Sequence, residues 1–331
     1  MRRLLFCVLP LLVALAAARP LAASCGSALC PIDTHALNLP ETGGWALDLS
    51  FQYIDQDQPR IGTRDAHVGE LSSEHDEVRT INRTATAALR HAFSDGLHVG
   101  VVVPWVSRFH EHIEESVEGQ SFPGEVEKWS YSGVGDVALE TQAELWSHGR
   151  TGLWLTGAVE LPTGQDDRSN SAGEVAELPI QTGSGSTDFV VGGNLRGSVF
   201  HVAGREGAMG RTAAIPWFAS VTYRRNGRGR DDYRLGDEWQ ASAGTAYPLS
   251  QRLEALLQLN ARRRGEDDPG KTQEDPRFTG GRFLFASPGA RLALGERWAG
   301  YLYLQLPLYQ DVNRLQLTAR RNWLWGIQGR W

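Results

Sequence analysis

The stretch Asn322-Trp-Leu-Trp-Gly-Ile-Gln-Gly-Arg-Trp331 alternates between two kinds of side chain. One set of alternate positions holds Trp323, Trp325, Ile327, Gly329 and Trp331, and the other set includes Asn322, Gln328 and Arg330. Because successive side chains of a β-strand point to opposite sides, the stretch predicts a strand with one apolar and one polar face. A soluble sheet would bury the apolar face and a membrane barrel would turn it towards lipid, so alternation alone does not decide between them.

The same stretch closes on an aromatic residue. An alternating apolar strand that ends on Phe or Trp resembles the C-terminal signal that the bacterial barrel-assembly machinery recognises. We therefore expect Trp323, Trp325, Ile327 and Trp331 to form an assembly signal, with that machinery and outer-membrane lipid as partners. An ordinary hydrophobic terminal strand would show the same pattern.

The period of two recurs through most of the chain before this stretch. Strands are predicted at 45–57, 77–93, 97–113, 130–146, 150–163, 186–199, 211–225, 238–248, 251–264, 280–294, 297–309 and 318–331. Short turns and longer polar segments alternate between them, as short periplasmic turns and long outer loops do in outer-membrane barrels. The sequence therefore predicts an all-β fold, a transmembrane antiparallel up-and-down β-barrel of about 12 strands formed by residues 45–331.

Pairing the predicted strands 77–93 and 97–113 in one register gives each of them an apolar face and a polar face. The apolar side chains of Leu97, Val99, Val101, Val103 and Trp105 fall on one face, which we predict to meet lipid. With a short turn at 94–96, the other face brings three pairs of residues opposite each other: Arg90 and Gly100, Thr86 and Pro104, Asn82 and Arg108. One register thus satisfies both faces of the hairpin.

The N-terminus indicates export. Arg2 and Arg3 precede an apolar run from Leu4 to Ala18 and then small residues, which is the pattern of a signal peptide over residues 1–24. No later apolar run is long enough for a membrane-spanning helix. Residues 25–44 are predicted to form an N-terminal periplasmic segment, and whether it enters the barrel stays open. The bacterial outer membrane is the predicted location.

Cys25 and Cys30 form a C-x4-C pair at the predicted mature N-terminus. A small disulfide loop is the expected role in an oxidising periplasm. Metal binding by the pair and lipidation of Cys25 stay open as alternatives.

The composition of the chain limits the kinds of molecule that it can bind. The formal net charge of -6 is spread along the chain without a basic patch, which argues against nucleic acid as a partner. The negative mean hydropathy of -0.33 is compatible with a barrel, because barrel strands average apolar and polar residues.

Three short motifs resemble a known family. Gly133-Val-Gly-Asp-Val137, Glu160-Leu-Pro-Thr-Gly164 and the Gly/Ser-rich stretch 182–187 are similar to the outer-membrane family named for the MetA pathway of phenol degradation. The resemblance is best over about 130–200 and implies a porin-like barrel with a transport or channel role and no catalytic residues. The cysteine pair and the histidine-bearing segment described next depart from a typical member.

Two clusters near the outer ends of neighbouring strands could bind a metal. His110 and His112 are predicted to point into the lumen, and the same register brings Asp76 opposite Glu114 and His112 opposite Val78. Two imidazoles and one or two carboxylates can bind a divalent transition metal, so His75, Asp76, His110 and His112 are candidate ligands. A solvated rim at the barrel mouth is the alternative; otherwise no cofactor is expected.

Charged side chains are predicted to line the lumen. They are Arg90, Arg108, Asp136, Glu140, Glu144, Glu160, Asp188, Arg196, Glu254 and Arg262. They could form a polar pathway that selects solutes, or pair across the interior and close it.

Two classes of function therefore remain. One is a channel or transporter for a small solute, either a hydrophobic compound or a metal ion. The other is a closed barrel that serves as a structural or assembly partner, or that binds a metal. No motif of an enzyme is present, so catalysis is not expected.

Overall fold

The structure is a computed structural model that describes residues 32–35, 43–70, 75–94, 96–114, 126–199, 214–272 and 275–331. The side chains of His75, Asp76 and Glu114 are not described. The predicted signal peptide and the Cys25–Cys30 pair lie outside the described residues. No helix within the described ranges is long and apolar enough to cross a membrane.

Thirteen strands form within the described residues. They are β1 (Trp45–Gly62), β2 (Arg64–Asp65), β3 (His75–Ser94), β4 (Leu97–Glu114), β5 (Val126–Val134), β6 (Val137–His148), β7 (Thr151–Leu161), β8 (Asp188–Val199), β9 (Ile215–Arg225), β10 (Glu238–Pro248), β11 (Leu253–Arg264), β12 (Gly281–Ala293) and β13 (Trp298–Arg330). Three short 3-10 helices lie in the connections, at Leu178–Ile180, Arg230–Asp232 and Pro276–Phe278.

The strands form a closed antiparallel barrel. Eleven of them follow one another around the sheet, β13 pairs with β1 to close it, and β2 and β5 lie outside this ring. The segment of β13 up to Val312 pairs with β12, whereas the segment from Leu315 pairs with β1. Arg314 has a φ of 52°, so β13 turns back at this point and crosses the sheet twice. The prediction of an all-β transmembrane barrel of about 12 strands is confirmed.

The outward face is apolar, as predicted. Leu97, Val99, Val103 and Trp105 are all between 38% and 51% exposed. In the last strand Trp325 and Trp331 are exposed, whereas Asn322 and Gln328 are buried inside the barrel. Apolar side chains therefore cover the surface that meets the hydrocarbon of the membrane.

The β3–β4 register confirms the three predicted pairs Arg90–Gly100, Thr86–Pro104 and Asn82–Arg108. Nearer the outer end the predicted register is wrong by one residue. His112 lies opposite Glu77 instead of Val78, and Asp76 lies opposite Ile113 instead of Glu114. The cause is a bulge between Glu77 and Arg79, which adds one unpaired residue to β3.

The predicted strand 130–146 is interrupted. β4 pairs with β5 from Ile113 to Trp105 and with β6 from Val102 to Leu97, so Gly135 and Asp136 fall at the break. Pro104, which has no N–H group, lies opposite this break and accepts a hydrogen bond from Gly135 N at 2.9 Å. The break turns Asp136 into the lumen, where the candidate site lies.

Candidate functional site in the barrel lumen

The connection from β7 to β8, residues 162–187, folds into the barrel and is called here the inward loop. Its 3-10 helix buries Leu178 and Ile180, which are 5% and 2% exposed. Ile180 and Ala176 pack against Trp129 of β5. Sequence reasoning treated this connection as an ordinary long outer loop. The apolar residues within its polar sequence are the signal that could have shown that it is buried.

Asp136 holds the inward loop to the barrel wall. One carboxylate oxygen accepts a hydrogen bond from Gly164 N at 2.9 Å. The other accepts from both the main-chain N and the Oγ of Ser184, each at 2.7 Å. Both ends of the loop therefore bind one side chain, and hydrogen bonds to an ionised acceptor are stronger than those to a neutral one.

The three sequence motifs meet around this carboxylate. Thr163 Oγ1 donates to Gly135 O at 3.0 Å and accepts from Val137 N at 2.9 Å. A Cβ atom added to Gly164 would lie 2.6 Å from the Cα atom of Gly183, a distance that side chains do not tolerate. The glycines of the motifs therefore allow the two ends of the inward loop to touch.

The second occupant of the lumen is the N-terminal segment, residues 32–35. Gln258 of β11 accepts from Asp33 N at 3.1 Å and donates to Asp33 O at 2.7 Å. Gln328 donates to Thr34 O at 2.8 Å, and Thr34 Oγ1 donates to Asp48 at 3.0 Å. The sequence predicts a periplasmic segment over residues 25–44 and leaves open whether it enters the barrel. The contacts of residues 32–35 place these four within it.

His35 ends the described part of this segment. The guanidinium of Arg90 lies 2.8 Å from His35 Nδ1, and Asp48 lies 3.5 Å from the same nitrogen. Burial, and then the charge of Arg90, lower the pKa of His35 well below its ordinary value. The imidazole is therefore neutral at pH 7 and accepts the hydrogen bond from Arg90.

A cavity of about 420 Å³ lies in the lumen, with both segments in its lining. Thr34 and His35 contribute from the N-terminal segment, and Pro179 and Gln181 contribute from the inward loop. Strands β1, β3, β4 and β6 supply one wall of the cavity, and Arg224, Glu238 and Arg264 of later strands supply the opposite side.

Most of the charged residues predicted to line the lumen are engaged with partners there. Arg90 pairs with Glu140, Glu160 with Arg224, Glu254 with Arg291, and Arg262 with Glu238. Asp188 accepts from Ser186 Oγ at 2.6 Å and Gly227 N at 2.9 Å, and Arg108 donates to Pro179 O and Gln181 O at 2.9 and 3.2 Å. Arg196 lies 3.9 Å from the ring centroid of Trp154, and Glu144 is half-buried near it. Sequence reasoning did not include Asp48 and Glu238 in this set.

The candidate metal ligands His110 and His112 lie next to each other in the lumen. Their ring centroids are 5.5 Å apart, and both contact the indole of Trp129. His110 Nδ1 lies 2.8 Å from Thr80 Oγ1, and His112 Nε2 lies 2.7 Å from Glu127. Within the described residues, no group of three or more His, Cys, Asp and Glu side chains could hold a metal ion. His75 and Asp76 are placed by backbone register alone, so the metal site stays a prediction.

Comparisons with known proteins concern the fold. No protein-family model and no curated protein matches the chain. An outer membrane channel from Pseudomonas putida F1 is similar over 91% of this chain and 100% of its own, with 14% identity and a TM-score of 0.59. A FadL homologue from Pseudomonas aeruginosa matches over 95% and 99% of the two chains, with 11% identity and a TM-score of 0.42. The likeness to the Pseudomonas putida protein shows that the chain has the fold of a bacterial outer-membrane β-barrel.

Proposed function

We propose that the protein is an outer-membrane transport barrel that passes a small solute through its lumen, with the inward loop as its moving part. The observation that carries the proposal is the way in which the loop closes the lumen. The loop is fixed by hydrogen bonds to side chains of the wall, chiefly Asp136, Arg108 and Tyr131, and not by a continuous strand pairing. It can therefore leave the lumen without opening the barrel sheet.

The cavity supports the same proposal. A barrel that served only as a scaffold would gain stability from a filled interior, because empty space loses packing contacts. This lumen instead keeps a cavity of about 420 Å³ between two chain segments. The resemblance to the phenol-degradation family and the absence of an enzyme motif fit a transport role without catalysis.

Planar-bilayer recording tests this function. We expect the purified protein to give discrete conductance steps, and a variant in which residues 166–181 are replaced by a short Gly-Ser linker to give larger steps. A protein-free detergent sample is the control. The proposal is contradicted if the wild-type protein and the loop variant each form a heat-stable barrel but neither of them conducts.

One observation favours the alternative of a closed structural barrel. Four ion pairs lie along the lumen wall. Arg262–Glu238 and Arg291–Glu254 join neighbouring strands, whereas Arg90–Glu140 and Arg224–Glu160 each span one intervening strand. Such pairs fill and stiffen the interior. Under this alternative, the loop variant stays as impermeable as the wild type.

The metal ion stays a separate proposal. Two adjacent lumen histidines are suitable ligands for copper, nickel or zinc. We expect titration calorimetry to show about micromolar binding that disappears in the His110→Ala/His112→Ala variant, with His148→Ala as the control, since imidazoles favour these metals. A titration of the wild-type protein that releases no heat of binding would exclude the site.

A further inference from the structure

We propose that the lumen cavity binds a small uncharged solute with an apolar body and a hydroxyl group. This inference rests on the proposed transport function and names the class of solute. It follows from three features of the cavity lining: an apolar patch, a neighbouring patch of neutral polar groups, and ionised groups that already have partners.

The apolar patch lies on β4 and β6. Val102, Pro104 and Val106 are successive lumen-facing residues of β4, and Ala138 of β6 lies opposite Val102. Lumen positions of outer-membrane barrels are ordinarily polar, so four apolar residues together are unusual there. Leu178 of the inward loop adds an apolar side chain to the same cavity. This patch can contact a hydrocarbon ring or chain.

The polar patch adjoins it on β1 and β3. Gln52 lies opposite Thr84, Thr84 in turn lies opposite Val106, and Thr86 lies opposite Pro104. Within the described part of the chain, the side chains of Gln52, Thr84 and Thr86 have no hydrogen-bond partner. All three are neutral and can both donate and accept, which suits a hydroxyl group.

The ionised groups of the lining already have partners. Arg108 donates to Pro179 O and Gln181 O at 2.9 and 3.2 Å. Arg224 contacts Glu160 and Asp188, and Glu238 contacts Arg262. Arg264 bonds Asp267 at 2.6 Å. Asp136 is surrounded by donors of the inward loop, and His35 is neutral. A charged solute would lose its hydration in the cavity without meeting an opposite charge that is free to pair with it.

Three probes of one shape and different charge test the inference: cyclohexanol, cyclohexanecarboxylate and cyclohexylammonium. Each is titrated by calorimetry into the full-length protein in lipid nanodiscs, and the heat with protein-free nanodiscs is subtracted. We expect saturable binding of cyclohexanol. The two ions should bind at least about tenfold more weakly, because their desolvation is not compensated.

The hydroxyl patch is tested with Thr84→Val/Thr86→Val, which keeps the β-branched shape and removes both hydroxyl groups. Cyclohexanol should bind about three- to tenfold more weakly to this variant, as expected for the loss of a neutral hydrogen bond. Thr156→Val is the matched control, since Thr156 shares the lumen face of Trp154 on β7 but does not line the cavity. It should bind cyclohexanol like the wild type.

The inference is overturned if the three probes bind equally, if either ion binds more tightly than cyclohexanol, or if cyclohexanol shows no saturable binding. It is also overturned by undiminished binding in the double variant. None of these results changes the conductance expected under the proposed function, so the two claims fail separately.

Discussion

Two carboxylates of the lumen wall lie beside the two segments that enter the lumen, and they hold those segments in different ways. Asp136 receives all three of its hydrogen bonds from the inward loop, two of them from main-chain N–H groups. Asp48 receives only one from the N-terminal segment, through Thr34 Oγ1, and its others come from Tyr301 and Gln328 of the barrel wall. The two ends of the inward loop thus depend on a single side chain, whereas Arg108 and Tyr131 of the wall bind the main chain of its middle.

The N-terminal segment is held by several hydrogen bonds from different strands. Its main chain binds the amides of Gln258 and Gln328, which lie on different strands, and its histidine binds Arg90 on a third. Loss of any one contact leaves the others in place. The comparison teaches that one substitution can release both ends of the inward loop, whereas each contact of the N-terminal segment must be removed separately.

Asp136→Ala should have the largest effect. It removes the acceptor of three hydrogen bonds, and bonds to a charged group contribute about 1.5–3 kcal/mol each. We expect hydrogen exchange to show a loss of protection of about 100-fold or more at the two ends of the inward loop, at Gly164 and Ser184, with larger conductance steps in bilayers. The exposed Asp167 of the same loop gives the control Asp167→Ala, which should change neither. A loop that stays protected in the Asp136 variant would show that the carboxylate does not hold it.

Gln258→Leu should have an intermediate effect, limited to the other segment. It removes both main-chain hydrogen bonds to Asp33, which at about 1 kcal/mol each gives roughly a 30-fold loss of protection there. The inward loop should exchange as in the wild type. Gln240→Leu on β10 is the control, because Gln240 bonds Glu238 and not the segment. If the inward loop also loses protection, the two segments are coupled and the comparison above is wrong.

The strand faces and the β3–β4 register could be predicted from the sequence, because a period of two and a short turn leave one register that keeps Val99 and Trp105 outside. The bulge at Val78 and the break at Gly135 could not. A single unpaired residue changes the pairing without changing the alternation on either side of it.

The content of the lumen was even harder to predict. The connection 162–187 is mostly polar and rich in glycine, which suits both water and a polar lumen, so only its few apolar residues, such as Leu178 and Ile180, could have indicated that it is buried. The three motifs that surround Asp136 were identified in the sequence only by their resemblance to a family, which gave them no structural role. Their hydrogen bonds supply that role: they attach the inward loop to the wall.

A pH change should give the smallest effect and should again separate the two segments. Docking lowers the pKa of His35 below 6.5, first through burial and then through Arg90, so below pH 6.5 the undocked segment binds a proton that the docked one does not. The stabilisation is therefore complete above pH 6.5 and decreases as the pH falls, by at most about 1.4 kcal/mol per pH unit. Protection factors at residues 33–35, corrected for intrinsic exchange, should decrease from pH 7 to pH 5, while those of the inward loop around Asp136 stay constant. His35→Gln should remove the dependence, since glutamine can still accept from Arg90 but does not titrate. The same pH dependence in that variant would assign it to another group, and a decrease in the inward loop as well would mean that acid loosens the whole lumen.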